Sequence, residues 1–91
     1  LAALAQGGFR LTGIRDWIAT LDARRQELYW AHFELDASDL AQARGEEHVS
    51  PPGAVRLPTH ATWRAVGTGW LAYADEQREV WPDFGLLPLL Y

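Results

Sequence analysis

Residues 16–35, Asp-Trp-Ile-Ala-Thr-Leu-Asp-Ala-Arg-Arg-Gln-Glu-Leu-Tyr-Trp-Ala-His-Phe-Glu-Leu, decide the fold of this chain. Two apolar runs, 17–21 and 28–35, flank a turn at 22–27 that carries four charges in six residues. Both runs are rich in β-branched or aromatic residues and contain neither Pro nor Gly, which is typical of strands. The stretch therefore predicts a β-hairpin.

Alternation along the second run predicts which side chains share a face of the strand. One face would carry Tyr29, Ala31, Phe33 and Leu35, and the other would carry Leu28, Trp30, His32 and Glu34. Neither face is clearly polar, so we expect a sheet with helices packed on both sides of this strand. Trp30 and Phe33 are accordingly predicted to be buried on opposite faces.

The length and composition of the chain are those of one small globular domain. It has 91 residues, of which 48% are hydrophobic, an ordinary fraction for a protein that folds. The five tryptophans are expected to anchor the core and interfaces, because large aromatic side chains dominate burial in a small domain. The lack of cysteine excludes a disulfide framework and a thiolate zinc site.

Charge and hydropathy argue against two further classes of protein. The net charge is −4, and the eight cations, all of them Arg, form no basic cluster. We therefore expect no direct grip on a nucleic-acid backbone by this segment. No apolar run approaches the roughly 18–20 residues that span a bilayer, and nothing resembles a secretion signal.

Both ends of the chain suggest a piece of a longer protein. The sequence contains no Met, so Leu1 is not a natural start, and residues 86–91 are an apolar run without a polar tail. Residues 1–91 are therefore expected to form a single partial domain.

Glycine and proline divide the rest of the chain into short elements. We expect a helix over 1–6 that ends at Gly7-Gly8, and a loop or short helix over 36–47 capped by Asp36 or Ser38. A short strand at Val49 would be followed by a helical turn over 54–57 that begins at Ser50-Pro51, and then by a strand at 63–67. The last predicted elements are a helix over 69–77 with Thr68 as its N-cap, a strand at 79–81, and the start of another element at 83–91. The predicted fold is an α/β sheet of three to four strands centred on the hairpin.

One segment could bind a phosphate group. Gly67-Thr68-Gly69 lies between a predicted strand and a predicted helix, where glycines let backbone N–H groups approach an anion. The segment lacks the third glycine of a dinucleotide fingerprint and the lysine of a P-loop, which favours a plain strand–helix turn. Gly67, Thr68 and Gly69 are nevertheless the candidate cofactor-binding residues.

The remaining polar groups form no complete site in the sequence. The charged residues of the turn at 22–27 could hold a ligand, or they could be a solvated turn that Asp22 favours. The two serines, Ser38 and Ser50, lie in no nucleophile motif, so no catalytic residue is predicted. Three histidines lack the spacing of metal ligands, and no metal site is predicted on them: His32, His48 and His60.

Several short motifs resemble one bacterial family. Leu21-Asp22-Ala23-Arg24 is followed by Glu27-Leu28-Tyr29-Trp30-Ala31, and Val66-Gly67-Thr68-Gly69-Trp70 comes some 35 residues later. Leu4-Ala5-Gln6-Gly7 is similar to the segment before the first strand of that family's second domain. In order and spacing, roughly residues 1–81 resemble the TsaB (YeaZ) family.

The resemblance implies a fold and a function. The fold would be a partial actin-like ATPase (RNase H-like) domain with a central β-hairpin, further short strands and flanking helices, the second-domain portion of a two-domain protein. Such a protein would be a non-catalytic cytoplasmic partner of its catalytic homologue TsaD, supporting threonylcarbamoyl transfer to a tRNA adenosine together with the ATPase TsaE. A homodimer is a further implied assembly. ATP or ADP and Mg²⁺ would belong to the wider complex, and another subunit would bind the tRNA.

The chain also departs from the family, and two alternatives stay open. The loop at 36–62 does not match, and the first domain with the family's main dimer interface is absent. The first alternative is an ATP-binding enzyme of the same fold that uses residues 67–69. The second is an unrelated α/β protein-interaction domain whose tryptophans mark an interface.

Overall fold

The computed structural model describes residues 1–57, 63–81 and 89–90. Its elements in chain order are α1 (Ala2–Thr12), β1 (Asp16–Arg24), β2 (Glu27–Leu35), β3 (Ala41–Ala43), β4 (His48–Ser50), a 3-10 turn (Pro52–Ala54), β5 (Arg64–Val66), α2 (Thr68–Ala72) and β6 (Leu89–Leu90). Among these elements, no helix has the length and apolar character needed to cross a membrane.

The sheet is built on the predicted hairpin and is wider than expected. Its strand order is β3-β2-β1-β5-β6, with β4 also paired to β2. The pairs of β2 with β1, β3 and β4 are antiparallel, whereas β1–β5 and β5–β6 are parallel. The prediction of three to four strands is wrong, because β3, β4 and β6 have only two or three residues each. Such runs are too short to show alternation.

The hairpin turn is tighter than the sequence indicated. β1 and β2 leave only Arg25 and Gln26 between them. Arg24, Arg25 and Gln26 all have positive φ angles, of 66°, 52° and 66°, and the register shifts between Asp22 and Arg24. The carboxylate of Asp22 accepts a hydrogen bond from the Arg24 backbone N–H at 2.9 Å, which holds this irregular corner.

Two cores cover the two faces of the sheet. The helix-side core lies under α1 and contains Ala5, Trp17, Ala19, Ala31, Phe33, Leu35 and Val66. The tryptophan core lies on the opposite face with α2 and contains Ile18, Leu28, Trp30, Val55, Trp63, Ala65, Trp70, Tyr73 and Trp81. The prediction that Trp30 and Phe33 are buried on opposite faces is confirmed, at 7% and 2% exposure. All five tryptophans are buried, as predicted.

Helix α1 does not end at Gly7-Gly8, so that prediction is wrong. It continues to Thr12 and ends at Gly13, whose left-handed φ of 74° is a common helix C-cap. A Cβ on Gly8 would lie 2.7 Å from the Trp17 ring, whereas a Cβ on Gly7 would meet nothing within 4 Å. Gly8 therefore permits close helix–sheet packing, which outweighs its low helix propensity.

The second half of the chain contains less regular structure than predicted. Residues 36–47 form a loop that contains β3, so the loop is confirmed and the alternative of a short helix is not, and the helical turn after Ser50-Pro51 is a 3-10 turn over Pro52–Ala54. The strands at Val49 and 63–67 are confirmed as β4 and β5. The helix over 69–77 is shortened to α2, and the predicted strand at 79–81 consists of turns and a bend. Of the element predicted at 83–91, only β6 falls within the described residues.

The loop after β2 is closed by Asp36. Its carboxylate accepts hydrogen bonds from the backbone N–H groups of Ser38 at 2.8 Å and Leu40 at 3.1 Å. These bonds, led by the one from Leu40, hold the pKa of Asp36 below its usual value. The carboxylate therefore stabilises the loop above its unfolded pKa of about 4, and this contribution is lost as the pH falls through the lower folded pKa.

We therefore expect acid to open this loop. Below roughly pH 4, the amide resonances of Ser38 and Leu40 should move toward random-coil positions in an NMR titration. Asp36→Asn should remove that acid transition from both amides, whereas Asp75→Asn, at another exposed carboxylate, should leave it in place. An unchanged transition in Asp36→Asn would show that another group closes the loop.

Candidate functional site

The predicted phosphate-binding segment lies where β5 meets α2. Gly67 has a φ of 108°, and a Cβ there would lie 1.8 Å from the Thr20 carbonyl oxygen. A Cβ on Gly69 would lie 2.7 Å from both Thr20 Oγ1 and Leu28 Cδ2. Both glycines are buried and bring the start of α2 directly against β1 and β2. Their absent side chains thus serve packing within the chain.

Thr68 differs from its two neighbours. Its side chain is exposed, and its hydroxyl accepts a long hydrogen bond of 3.5 Å from the Asp22 backbone N–H. The N-cap of α2 is Gly67, with no side-chain hydrogen bond, so the prediction of Thr68 as N-cap is wrong. Packing accounts for Gly67 and Gly69, and phosphate binding by residues 67–69 stays a prediction.

Trp70 fastens this segment to the sheet. Its indole Nε1 donates a 3.0 Å hydrogen bond to the Ile18 carbonyl oxygen, and its side chain is fully buried. Its ring centroid lies 5.8 Å from that of Trp63 and 4.9 Å from that of Trp81, which meets it edge-on. The sequence Gly-Thr-Gly-Trp therefore packs α2 against the hairpin.

The charged hairpin turn contacts the same region. The Asp22 carboxylate accepts a hydrogen bond of 3.3 Å from the hydroxyl of Tyr73. Burial, followed by the nearby charge of Asp22, raises the pKa of Tyr73 above its usual value. Arg24 and Arg25 are exposed. The turn is therefore tied to the residues after α2 through Asp22, and its two arginines face solvent.

A second group of polar side chains lies at the other end of the hairpin. Asp16 pairs with Glu34 across the strands, and His32 lies two residues before Glu34 on the same face. Nε2 of His32 contacts Oδ1 of Asp16, and Glu34 accepts a 2.8 Å hydrogen bond from Arg44. One donor atom from each of Asp16, His32 and Glu34 lies within 4.8 Å of the other two.

Sequence reasoning missed this cluster because it examined histidine spacing along the chain. Asp16 and His32 are separated by 16 positions and meet only through the hairpin register. Pairing the two predicted strands across the turn could have revealed it. His48 lies elsewhere, with its ring stacked on Trp30 at 4.4 Å, and His60 is outside the described residues.

The carboxylates of Glu34 and Asp16 both affect the pKa of the nearby Arg44. The hydrogen bond to Glu34, and then the charge of that group, raise the pKa of Arg44 above its usual value, with a smaller contribution from Asp16. Arg44 itself is largely exposed, at 61% of its side chain, whereas Asp16 and His32 are 15% and 22% exposed. The cluster is thus partly buried beside the exposed cation of Arg44.

With this geometry known, solved structures define the class of protein. The chain aligns over its whole length with YeaZ from Pseudomonas aeruginosa, at a TM-score of 0.76 and 33% identity, covering 40% of that chain. A second Pseudomonas aeruginosa structure, described as similar to the peptidase YeaZ, aligns with a TM-score of 0.77 and 33% identity, and the chain again covers 40% of it. The protein is an α/β protein with the actin-like (RNase H-like) fold, as predicted.

Sequence relatives then identify the family. The chain is 34% identical over 88 residues to the tRNA threonylcarbamoyladenosine biosynthesis protein TsaB of Escherichia coli. It is 31% identical to the TsaB of Haemophilus influenzae, in an alignment that covers the whole chain. No protein-family model matches the chain. The chain matches a part of the TsaB (YeaZ) proteins, and it spans 35% and 43% of the length of these two relatives.

Proposed function

We propose that this chain is the non-catalytic, second-domain portion of a partner subunit that supports threonylcarbamoyl transfer to a tRNA adenosine. The observation that carries the proposal is the 34% identity to a TsaB protein over 93% of the chain. In this account the protein acts in the cytoplasm by binding its catalytic homologue TsaD, and the ATPase TsaE joins them. ATP or ADP and Mg²⁺ belong to that complex.

The contacts of the family-like motifs support a structural role. Gly67 and Gly69 pack against Thr20, and Trp70 is hydrogen-bonded to the backbone of β1. The second motif lies in β2, where Leu28 and Trp30 fill the tryptophan core. These residues are engaged in holding α2 to the hairpin, so their presence is explained without a reaction.

The charge of the chain supports assigning tRNA contact to another subunit. Its net charge is −4, and binding to a phosphate backbone requires clustered cations that release condensed counterions. In the described part of the chain, Arg15 and Arg44 are paired with Asp39 and Glu34. We therefore assign recognition of tRNA to another subunit of the complex.

An ATP-binding enzyme of the same fold remains the second candidate function. Its basis is the glycine segment at 67–69, which follows a strand and precedes a helix. The match to TsaB proteins over 93% of the chain argues against the third possibility, an unrelated interaction domain. The two surviving candidates differ in whether the protein itself turns over ATP.

The experiment compares ATP hydrolysis and complex formation by the full-length protein that carries this chain. We expect no ATP turnover by the protein alone and co-elution with its catalytic homologue in size-exclusion chromatography. The informative variant is Thr68→Ala, because the Thr68 side chain is exposed and its removal leaves the packing of α2 in place. Gly69→Ala is unsuitable, since its Cβ would lie 2.7 Å from Thr20 Oγ1.

ATP turnover by the purified protein that Thr68→Ala abolishes would replace the partner-subunit proposal with the enzyme. Failure to co-elute with the catalytic homologue would contradict the proposed mode of action. Co-elution without turnover, unchanged by Thr68→Ala, is the expected result.

A further inference from the structure

The cluster of Asp16, His32 and Glu34 has the composition of a metal site. It offers one imidazole nitrogen and carboxylate oxygens from two residues, all on one face of two paired strands. We propose that these three side chains bind a divalent first-row metal ion such as Zn²⁺. This inference concerns residues that the proposed function does not use, and it stands or fails independently of that function.

The spacing of the donor atoms suits a single ion. Zinc binds imidazole nitrogen and carboxylate oxygen at about 2.0–2.2 Å, which places neighbouring ligand atoms about 3–4 Å apart. The donor atoms of the three side chains already lie within 4.8 Å of one another. Asp16 and His32, which contact each other directly, would rotate apart to admit the ion, and water would occupy the remaining coordination positions.

The backbone holds the three ligands in place. Asp16 and Glu34 are register partners, and Ile18 opposite His32 is fully buried in the tryptophan core. Because the ligands stand on the two central strands, their Cα positions are fixed by the ladder of the hairpin. A site built on strands requires less ordering on binding than one built on loops.

A metal ion would compete with two interactions, the Asp16–His32 contact and the ion pair of Arg44 with Glu34. Arg44 pairs with Glu34 at 2.8 Å, and its side chain is 61% exposed. An exposed ion pair of this kind contributes little and exchanges with solvent readily. A divalent ion between the two carboxylates would neutralise more charge than Arg44 does, and the arginine could move into solvent.

The donor set also selects among metals. An imidazole nitrogen suits Zn²⁺ and the other first-row ions better than Mg²⁺ or Ca²⁺, which prefer oxygen ligands. The order of affinity for one such site rises from Mn²⁺ through Co²⁺, with Zn²⁺ tighter than either. We therefore expect Zn²⁺ to bind more tightly than Co²⁺, and Mg²⁺ to bind least.

The test is metal binding by the full-length protein that carries this chain, prepared without a histidine tag. Zn²⁺ is titrated in competition with a chromophoric chelator, and Co²⁺ binding is followed by visible absorption. His32→Gln and Glu34→Gln should each weaken one Zn²⁺ site at least about tenfold. The matched control is His48→Gln, because His48 lies outside the cluster and should leave that site unchanged.

A fourth variant separates a metal site from a purely structural ion-pair network. Arg44→Gln removes the competing cation, so it should strengthen Zn²⁺ binding at this site several-fold. Two results would overturn the proposal: no Zn²⁺ binding by the wild-type protein, or Zn²⁺ binding that is the same in His32→Gln, Glu34→Gln and wild type. If His32→Gln fails to fold, the comparison of wild type with Glu34→Gln decides the matter, because the Glu34 side chain is 39% exposed.

Discussion

Replacing Gly67 by alanine is expected to cost about 4 kcal/mol or more in the free energy of unfolding, which places it among the most damaging single substitutions. The new Cβ would lie 1.8 Å from the Thr20 carbonyl oxygen, a backbone atom that cannot move without disturbing β1. The φ of 108° adds strain, because L-residues rarely adopt it. Small domains have about 5–15 kcal/mol of stability, so this substitution would remove a large fraction of it.

The free energy of unfolding of Gly67→Ala is measured by chemical denaturation. Gly53→Ala, measured in the same way, is the matched control. The nearest atoms to a Cβ at Gly53 belong to the Gln77 side chain, at 3.7 Å and beyond. We expect a change within about 0.5 kcal/mol for this exposed position. A loss below about 1 kcal/mol for Gly67→Ala would show that Gly67 does not pack closely against Thr20 of β1.

Phe33→Ala is expected to cost about 3–5 kcal/mol, the usual effect of emptying a packed aromatic site. Phe33 is 2% exposed and lies in the helix-side core opposite Trp17. Removing its ring leaves a cavity between α1 and the sheet that the surrounding residues can fill only in part. Denaturant unfolding should show the loss as a lower midpoint.

Tyr29→Ala provides the comparison on the same strand. Tyr29 lies on the same face of β2 as Phe33, but it is 49% exposed. Its removal should cost less than that of Phe33, since about half of the Tyr29 surface stays exposed to water. Equal losses at the two positions would contradict the assignment of the helix-side core.

The hairpin and its two faces were predictable because β1 and β2 have nine residues each. Over that length, alternation identifies both the strand and the side on which each residue lies. The tryptophan burial followed from side-chain size alone. β3, with three residues, offered no such pattern, so the sequence left a loop and a short helix open for the segment around it.

The errors share a physical cause, which is tertiary contact. Gly8 looked like a helix end, but its contact with the Trp17 ring makes it part of a continuous helix. Residues 73–81 were assigned a helix end and a strand, whereas Tyr73 and Trp81 are turn and bend residues buried in the tryptophan core. Local propensity does not report such packing.

The two candidate sites also differ in how far the sequence alone could reveal them. Gly67-Thr68-Gly69 could be found as a local motif, although the sequence did not show that Gly67 and Gly69 pack on Thr20. The cluster of Asp16 and His32 depends on the register across the hairpin, so chain spacing gave no signal for it.

The measurement that tests the account most directly is threonylcarbamoyladenosine formed in tRNA by a reconstituted reaction, quantified by nucleoside mass spectrometry. The reaction contains the catalytic homologue, the ATPase, ATP and threonylcarbamoyl donor, with or without the full-length protein that carries this chain. We predict that product requires this protein, and that Thr68→Ala supports the same yield as wild type. Equal product in its absence would contradict the claim that it is a partner subunit of this modification.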